Sequence, residues 1–118
     1  MRVYLACPYS HPSLRTRKFR FNVANEVAAI LINKGYIVYS PISHTHPISE
    51  CTLYPITYDQ WLALDEHFIE WCDELWIIDL VGADTSKGIE FEKAKAESLG
   101  KPVKVIGYED VTQLPRLD

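Results

Sequence analysis

Four short apolar runs, each set apart from the next by a segment of helical period, constrain this chain more than any other feature in it. Arg2–Ala6, Tyr36–Tyr39, Glu74–Leu80 and Pro102–Ile106 read as strands. Between the first two, Leu14 to Lys34 carries Phe19, Val23, Val27, Ile30 and Leu31 on one stripe, and Gly35 sits where a helix would end. Tyr58 to Trp71 repeats the pattern with Trp61, Leu62, Leu64, Phe68 and Ile69. A third helix starts at an N-cap, Ser86, runs to about Leu99 and is closed by Gly100. The order is βαβαβαβ. Strands that alternate with helices predict an α/β fold of three layers, a four-stranded parallel sheet with helices on both faces and right-handed crossovers; the order we expect for it is 2-1-3-4. At 118 residues, 47% of them hydrophobic, the chain is expected to form one domain. Two stretches carry little pattern. Pro41 to Thr57 reads as a long loop, and Gly107 to Asp118 as a polar tail.

Composition removes several classes of function. The net charge of −4 disfavours binding to a nucleic-acid polymer, which needs clustered Lys and Arg. The longest apolar run, Leu75 to Ile78, is far too short to span a membrane. Three widely spaced cysteines (Cys7, Cys51 and Cys72) and no leader-like start lead us to expect free thiols and a cytoplasmic protein. Neither a Walker A loop nor a Gly-x-Gly-x-x-Gly motif is present, so no nucleotide-driven or dinucleotide chemistry is indicated, and no cofactor is implied.

In a sheet of this kind ligands sit beyond the strand C-termini, where strand order reverses. The segments after strands 1, 2 and 3 bring Tyr4, Cys7, Tyr9 and Ser10, then Ser40, Ser43, His44 and His46, then Asp79, Asp84, Ser86 and Lys87 toward one edge. Asp65 lies on the second helix, Glu90 and Glu92 lie on the third, and Arg15, Arg17, Lys18 and Arg20 open the first. Ser86 followed by Gly88 at a helix start suits a phosphate, because free N–H groups and the dipole point at it. Glu92 lies about 9 Å further along that helix, far enough to reach a sugar between the two. On spacing alone the simpler account is that Ser86 is a cap and the acidic turn complements the dipole. Glu90 and Glu92 point about 200° apart, so only one of them faces a site.

Other signals have plainer readings. His44-x-His46 with Cys51 and Cys7 matches no standard zinc spacing, so no metal site is expected. Cys7 lacks the Arg of a phosphatase loop, since Ser13 stands there, and reads as a buried structural thiol. Trp61, Trp71 and Trp76 read as core. Asp79 reads equally as a site carboxylate or as a partner of the next loop.

Four motifs occur in order from about Val3 to Val105: Tyr4-Leu5-Ala6-Cys7-Pro8-Tyr9, Gly35-Tyr36-Ile37-Val38-Tyr39-Ser40-Pro41, Asp65 with Asp73, and Ser86-x-Gly88-x-x-x-Glu92 followed by Gly100-Lys101-Pro102-Val103. Together they resemble the nucleoside 2-deoxyribosyltransferase superfamily, and within it most of all a small bacterial and phage family, domain of unknown function 1937. The resemblance implies a flavodoxin- or Rossmann-like fold and cleavage or transfer at the N-glycosidic bond of a 2′-deoxynucleoside or its 5′-monophosphate. It implies Glu92 as the nucleophile at C1′, Asp65 as the carboxylate serving the leaving base, and Tyr4 as the positioning group. Ser86 matches the branch that hydrolyses 2′-deoxynucleoside 5′-monophosphates, where it contacts phosphate, with Arg15, Arg17 or Lys87 as further phosphate ligands.

Gly88, Cys7, Tyr9, Ser10, Ser40, His44 and Asp84 complete the expected binding set. The expected partner is a small nucleoside or nucleotide, and the expected assembly a homodimer or larger. In the superfamily a polar residue of the neighbouring subunit's C-terminus completes the site; here the tail offers Thr112, Gln113 and Asp118. Glu90 stands where the superfamily keeps a small residue. If it crowds the pocket, the chain would instead be a non-catalytic module that binds a nucleotide or an ADP-ribose-like ligand.

Overall fold

The computed structural model describes residues 1–117. Its elements are β1 (Arg2–Ala6), α1 (Leu14–Asn33), β2 (Ile37–Tyr39), α2 (Pro41–Ser49), α3 (Tyr58–Trp71), β3 (Glu74–Ile78), a 3₁₀ turn (Ala83–Thr85), α4 (Lys87–Ser98), β4 (Val103–Ile106) and α5 (Tyr108–Gln113). The strands form one parallel sheet in the order β2-β1-β3-β4, as expected. The chain leaves β1 toward β2 on one side and returns to β3 on the other, so the switch point lies between the C-terminal ends of β1 and β3.

Alternation along the central strands divides their side chains between two cores. Val3 and Leu5 of β1 and Trp76 and Ile78 of β3 pack with Ala24, Val27, Ala28 and Leu31 of α1 and with Val111 of α5. Tyr4 and Ala6, with Leu75 and Ile77, face the opposite way onto Ile69 of α3 and Ile89 and Ala96 of α4. Tyr4 is thereby delivered to the α3/α4 side of the sheet. β1 is held in register against β3 at its start, where the Asp73 N–H donates to the Arg2 carbonyl, the Arg2 N–H donates to Asp73 Oδ2, and the two side chains pair at 3.0 Å. Asp73 is thus a strand anchor.

The structure corrects the sequence reading in four places. Pro41–Ser49 is a helix. Pro41 occupies its first position, where a missing N–H costs nothing, and Ile42 and His46, one turn apart, are both buried. A run of Pro, Ser and His conceals such a helix because its stability comes from packing and not from propensity. The tail is also structured. α5 buries Val111 completely, Lys34 Nζ donates to the carbonyls of Thr112 and Leu114, and the Leu117 N–H bonds to the Lys34 carbonyl. Phe19 is exposed, because the buried stripe of α1 runs through Arg20, Ala24, Val27, Ala28 and Leu31. Small Ala residues let α1 approach the sheet, a signal that bulky Phe outweighs in a periodicity reading. Of the three Trp, only Trp76 is buried; Trp61 and Trp71 are half-exposed.

Lys101 closes the C-terminus of α3. Its Nζ donates to the carbonyls of Ile69 and Cys72, both at 2.7 Å, and to that of Glu70. The cation satisfies carbonyls that the helix leaves open and complements the negative end of the dipole. Lys101→Met keeps the side chain's length and removes all three bonds. It is expected to lower stability by about 1–2 kcal/mol, read from urea unfolding followed by circular dichroism.

Candidate active site

Above the switch point lies a cavity of about 760 Å³. Its walls come from the loop after β1 (Cys7, Tyr9, Ser10, His11), from α2 (Ile42, Thr45), from α3 (Tyr58, Trp61, Leu62, Asp65) and from the start of α4 (Ser86, Lys87, Gly88, Glu92). The α3 residues recur at helical spacing, so one face of that helix forms a wall with an aromatic upper part and a carboxylate below.

Two carboxylates of the cavity lining, Asp65 and Glu92, form a cluster with two phenols that lie behind the wall, Tyr4 and Tyr39. The Tyr4 hydroxyl donates to Glu92 Oε2, and both residues are buried. Burial pushes the Glu92 carboxyl up to about 8; the Tyr4 bond opposes the rise, and the neighbouring Asp65 charge adds to it. Asp65 is raised to about 6, again by burial, with Tyr4 pulling it back. Tyr4 itself is held well above its ordinary range by burial and by both carboxylates. Tyr39, paired with Tyr4 in the β1–β2 register and stacked on Phe68 at 3.7 Å between ring centroids, completes the group. Burial and the same two carboxylates raise its pKa as well. Asp65 Oδ1 and the Tyr39 hydroxyl are buried without a hydrogen-bond partner among the described residues. Two such atoms beside a cavity are places for a ligand's polar groups.

The far end of the cavity is shaped for an anion. Ser86 caps α4, its Oγ accepting from the Ile89 N–H at 3.2 Å. The N–H groups of Lys87 and Gly88 precede the first intrahelical bonds and remain available. A Cβ at Gly88 would meet only Ser86 Oγ, at 3.8 Å, so the glycine leaves this turn bare. Arg20 reaches in from α1 and donates to the carbonyls of Tyr9, Ser10 and Val81, tying the β1 and β3 loops together. Its guanidinium is buried and lines the cavity, and no carboxylate pairs with it among the described residues. Gly82 takes a φ of +97° beside it, where a Cβ would lie 2.6 Å from the guanidinium.

The cavity therefore gathers Glu92, Asp65, Ser86, Gly88, Lys87, Cys7, Tyr9 and Ser10 from the predicted set, with Tyr4 directly beneath through Glu92. It does not gather Arg15, which is exposed on α1, nor Ser40, which bonds Ser43 at 2.8 Å beneath α2, nor His44, which is exposed beside Tyr39. Asp84 and Asp79 line a separate cavity of about 440 Å³ on the other side of α4, and Glu90 lines it too. Glu90 thus leaves the Glu92 cavity uncrowded, as its angular separation from Glu92 requires. Cys7 bonds to backbone carbonyls, and burial pushes its thiol up to about 12, so it is no nucleophile at neutral pH. Thr112 bonds the Glu109 carbonyl within α5; Asp118 lies outside the described residues.

Tyr39 and the α2 residues Ile42 and Thr45 were missed by sequence reasoning. Tyr39 was legible in principle: it ends β2 opposite Tyr4, and parallel pairing puts the two side by side. Arg20 was placed at the rim with Arg15, Arg17 and Lys18, and nothing local to the sequence singled it out from them.

The family model described as domain of unknown function (DUF1937) matches residues 1–108. No curated protein matches the chain. Among solved structures, a 2-deoxyribosyltransferase from the psychrotolerant bacterium Bacillus psychrosaccharolyticus superposes with a TM-score of 0.69 at 18% identity, covering 97% of this chain and 92% of that one. The Clostridium botulinum CMP N-glycosidase BcmB superposes with a TM-score of 0.59 at 17% identity, covering 100% of this chain and 86% of that one. At these identities the likeness is one of fold.

Burial of Glu92 has a measurable consequence for stability. Its folded pKa lies above the ordinary value of 4.5, so the folded state binds the extra proton and stability falls as pH rises from about 4.5 through about 8. Glu92→Gln keeps an acceptor for Tyr4 and removes the charge. It is expected to raise Tm at pH 8 by at least about 4 °C and to change it little at pH 4.5, by calorimetry at both values.

Proposed function

The chain belongs to the DUF1937 family, and we propose that it cleaves the N-glycosidic bond of a 2′-deoxynucleoside 5′-monophosphate, or transfers its deoxyribosyl group, through a covalent bond to Glu92. One observation carries the reading: a buried carboxylate on α4, bonded by a buried phenol, faces a second carboxylate across a cavity whose far end is a bare helix N-terminus. The two neighbours of like fold, named for a deoxyribosyltransferase and an N-glycosidase, support it.

In this reading the phosphate rests on Ser86, Gly88 and Lys87, within the field of Arg20. The sugar spans the distance to Glu92, and the base lies against Trp61 and Leu62 with Asp65 at its glycosidic nitrogen. The ionised Glu92 carboxylate attacks C1′ as the C1′–N bond breaks, and Asp65 gives its proton to the departing base. Water, or a second base, then attacks C1′ and frees Glu92, with Asp65 taking back a proton. Tyr4 steadies the Glu92 oxygen throughout.

Between about pH 6 and pH 8 the two carboxyls share one proton, which rests on Glu92. The productive form carries it on Asp65, and Tyr4, near both, eases that exchange. The non-catalytic alternative rested on Glu90 crowding the cavity, and Glu90 faces elsewhere. The proposal carries with it a homodimer or larger assembly, in line with the resemblance, and the cytoplasmic location expected from the cysteines.

Base release from the four deoxynucleoside 5′-monophosphates and their nucleosides, followed by chromatography, tests the reading. Wild type should release base, faster from a monophosphate than from its nucleoside. Glu92→Ala should lower release by at least about 10³-fold and Asp65→Asn by about 10²-fold. The kcat/KM profile should be a bell with its maximum between about pH 6 and 8. It falls on the acid side because the pair takes up a second proton and loses its nucleophile, and on the basic side because it loses the proton owed to the base. No release from any of the eight compounds would sink the proposal.

A further inference from the structure

The helix concealed in the sequence, α2, carries a buried histidine that the chemistry above does not use. His46 is 5% exposed and both its ring nitrogens are engaged. Nδ1 lies 2.5 Å from the Tyr9 hydroxyl, and Nε2 lies 3.1 Å from Glu50 Oε1, one turn further along the chain. The ring lies on Phe21 of α1, with centroids 4.4 Å apart and planes tilted 30°, and it meets the Tyr9 ring edge-on. A histidine held on both nitrogens and stacked on Phe21 has one orientation.

The partners also decide where its hydrogen sits. In the neutral ring, a Glu50 carboxylate that accepts from Nε2 places the one hydrogen there and leaves Nδ1 bare. The Tyr9 hydroxyl must then donate to Nδ1. Its proton is committed away from the cavity that Tyr9 lines. What the Tyr9 oxygen retains for any group in that cavity is acceptor capacity.

We propose that His46 and Glu50 are positioning residues that hold Tyr9 as a hydrogen-bond acceptor on the cavity wall, so that the site selects ligands presenting a hydroxyl or amino donor there. The proposal rests on the cavity being the substrate site. It assigns a role to α2, which connects the sheet edge at β2 to the cavity wall through Ile42 and Thr45. Tyr9 stands on the loop after β1, and His46 on a separate element. The ligand-facing chemistry of the loop is therefore set from outside the loop.

The first test needs no substrate. Long-range ¹H–¹⁵N correlation spectra of the full chain should show His46 as the Nε2–H tautomer in wild type and in Tyr9→Phe, and as a mixture in Glu50→Gln. An Nδ1–H tautomer in wild type would overturn the relay. The second uses the deoxynucleoside 5′-monophosphate that wild type cleaves fastest. Tyr9→Phe and His46→Phe should each raise KM about tenfold and leave kcat within about twofold, with the double variant no worse than either single.

His46→Asn places an amide oxygen near the Nδ1 position and should bring KM back to within about threefold of wild type. Should His46→Phe fail to fold, Glu50→Gln, altered only at an exposed carboxylate, should still raise KM about threefold. Additive effects in the double variant, or an unchanged KM in Tyr9→Phe, would overturn the proposal. If wild type releases no base, the glycosidic reading fails by itself. Calorimetric binding of each of the four deoxynucleoside 5′-monophosphates to the same variants then decides the positioning role, and absence of binding of all four to wild type overturns that as well.

Discussion

The hydrogen bond from Tyr4 to Glu92 joins the central strand to the helix that crosses above it, and the site is organised around it. Taking a carboxyl group out of water is unfavourable unless it is neutralised or bonded, and here both happen: the phenol donates to one oxygen while burial keeps the group protonated to about pH 8. For the bond to exist, β1 must be central, Tyr4 must point to the α3/α4 face, and the second turn of α4 must bring Glu92 within reach of Tyr4. The parallel order β2-β1-β3-β4 meets all three conditions.

The two faces of the sheet serve different ends. The α1 face is closed by aliphatic packing from Val3 to Val111 and tied down by Lys34 at the tail. The α3/α4 face has a smaller apolar cluster and gives part of its area to Tyr4, Tyr39, Asp65 and Glu92. Two polar atoms there are left without partners among the described residues, and two carboxyl groups have raised pKa values. Apolar packing is therefore concentrated on one side of the sheet and the buried carboxyl groups on the other. Arg20 crosses between them: its backbone belongs to α1, its guanidinium to the loops that rim the cavity.

The regular elements were legible because each has a period that local sequence must respect. β1, α1, α3, β3, α4 and β4 were found within one or two residues, and β-α alternation gave a parallel sheet without reference to any contact. Ser86, Gly88, Asp65 and Glu92 were legible as well, through cap chemistry and helical spacing, though only the resemblance singled out Glu92 from Glu90. α2 and α5 were not legible. Each is short, carries Pro or polar residues, and is held by one or two buried side chains such as Ile42, His46 or Val111. Phe19 failed for a related reason: its bulk marks it as core in a periodicity count, but the Ala residues of α1 decide which face can approach the sheet.

By itself, the sequence determined the alternation of strands and helices, the parallel sheet that follows from it, and the chemical character of the residues at the strand ends, because periodicity, caps and crossover handedness are local or nearly local rules. Tertiary structure alone decided which polar groups share a space. It sent Glu90 and Asp84 to one side of α4 and Glu92 to the other, left Arg15 in solvent while burying Arg20, separated His44 from His46, and set Tyr39 beside Asp65. Those outcomes depend on distances between elements far apart in the chain. So do burial and the raised pKa values, since a carboxyl group's environment is made by neighbours that its own segment does not contain.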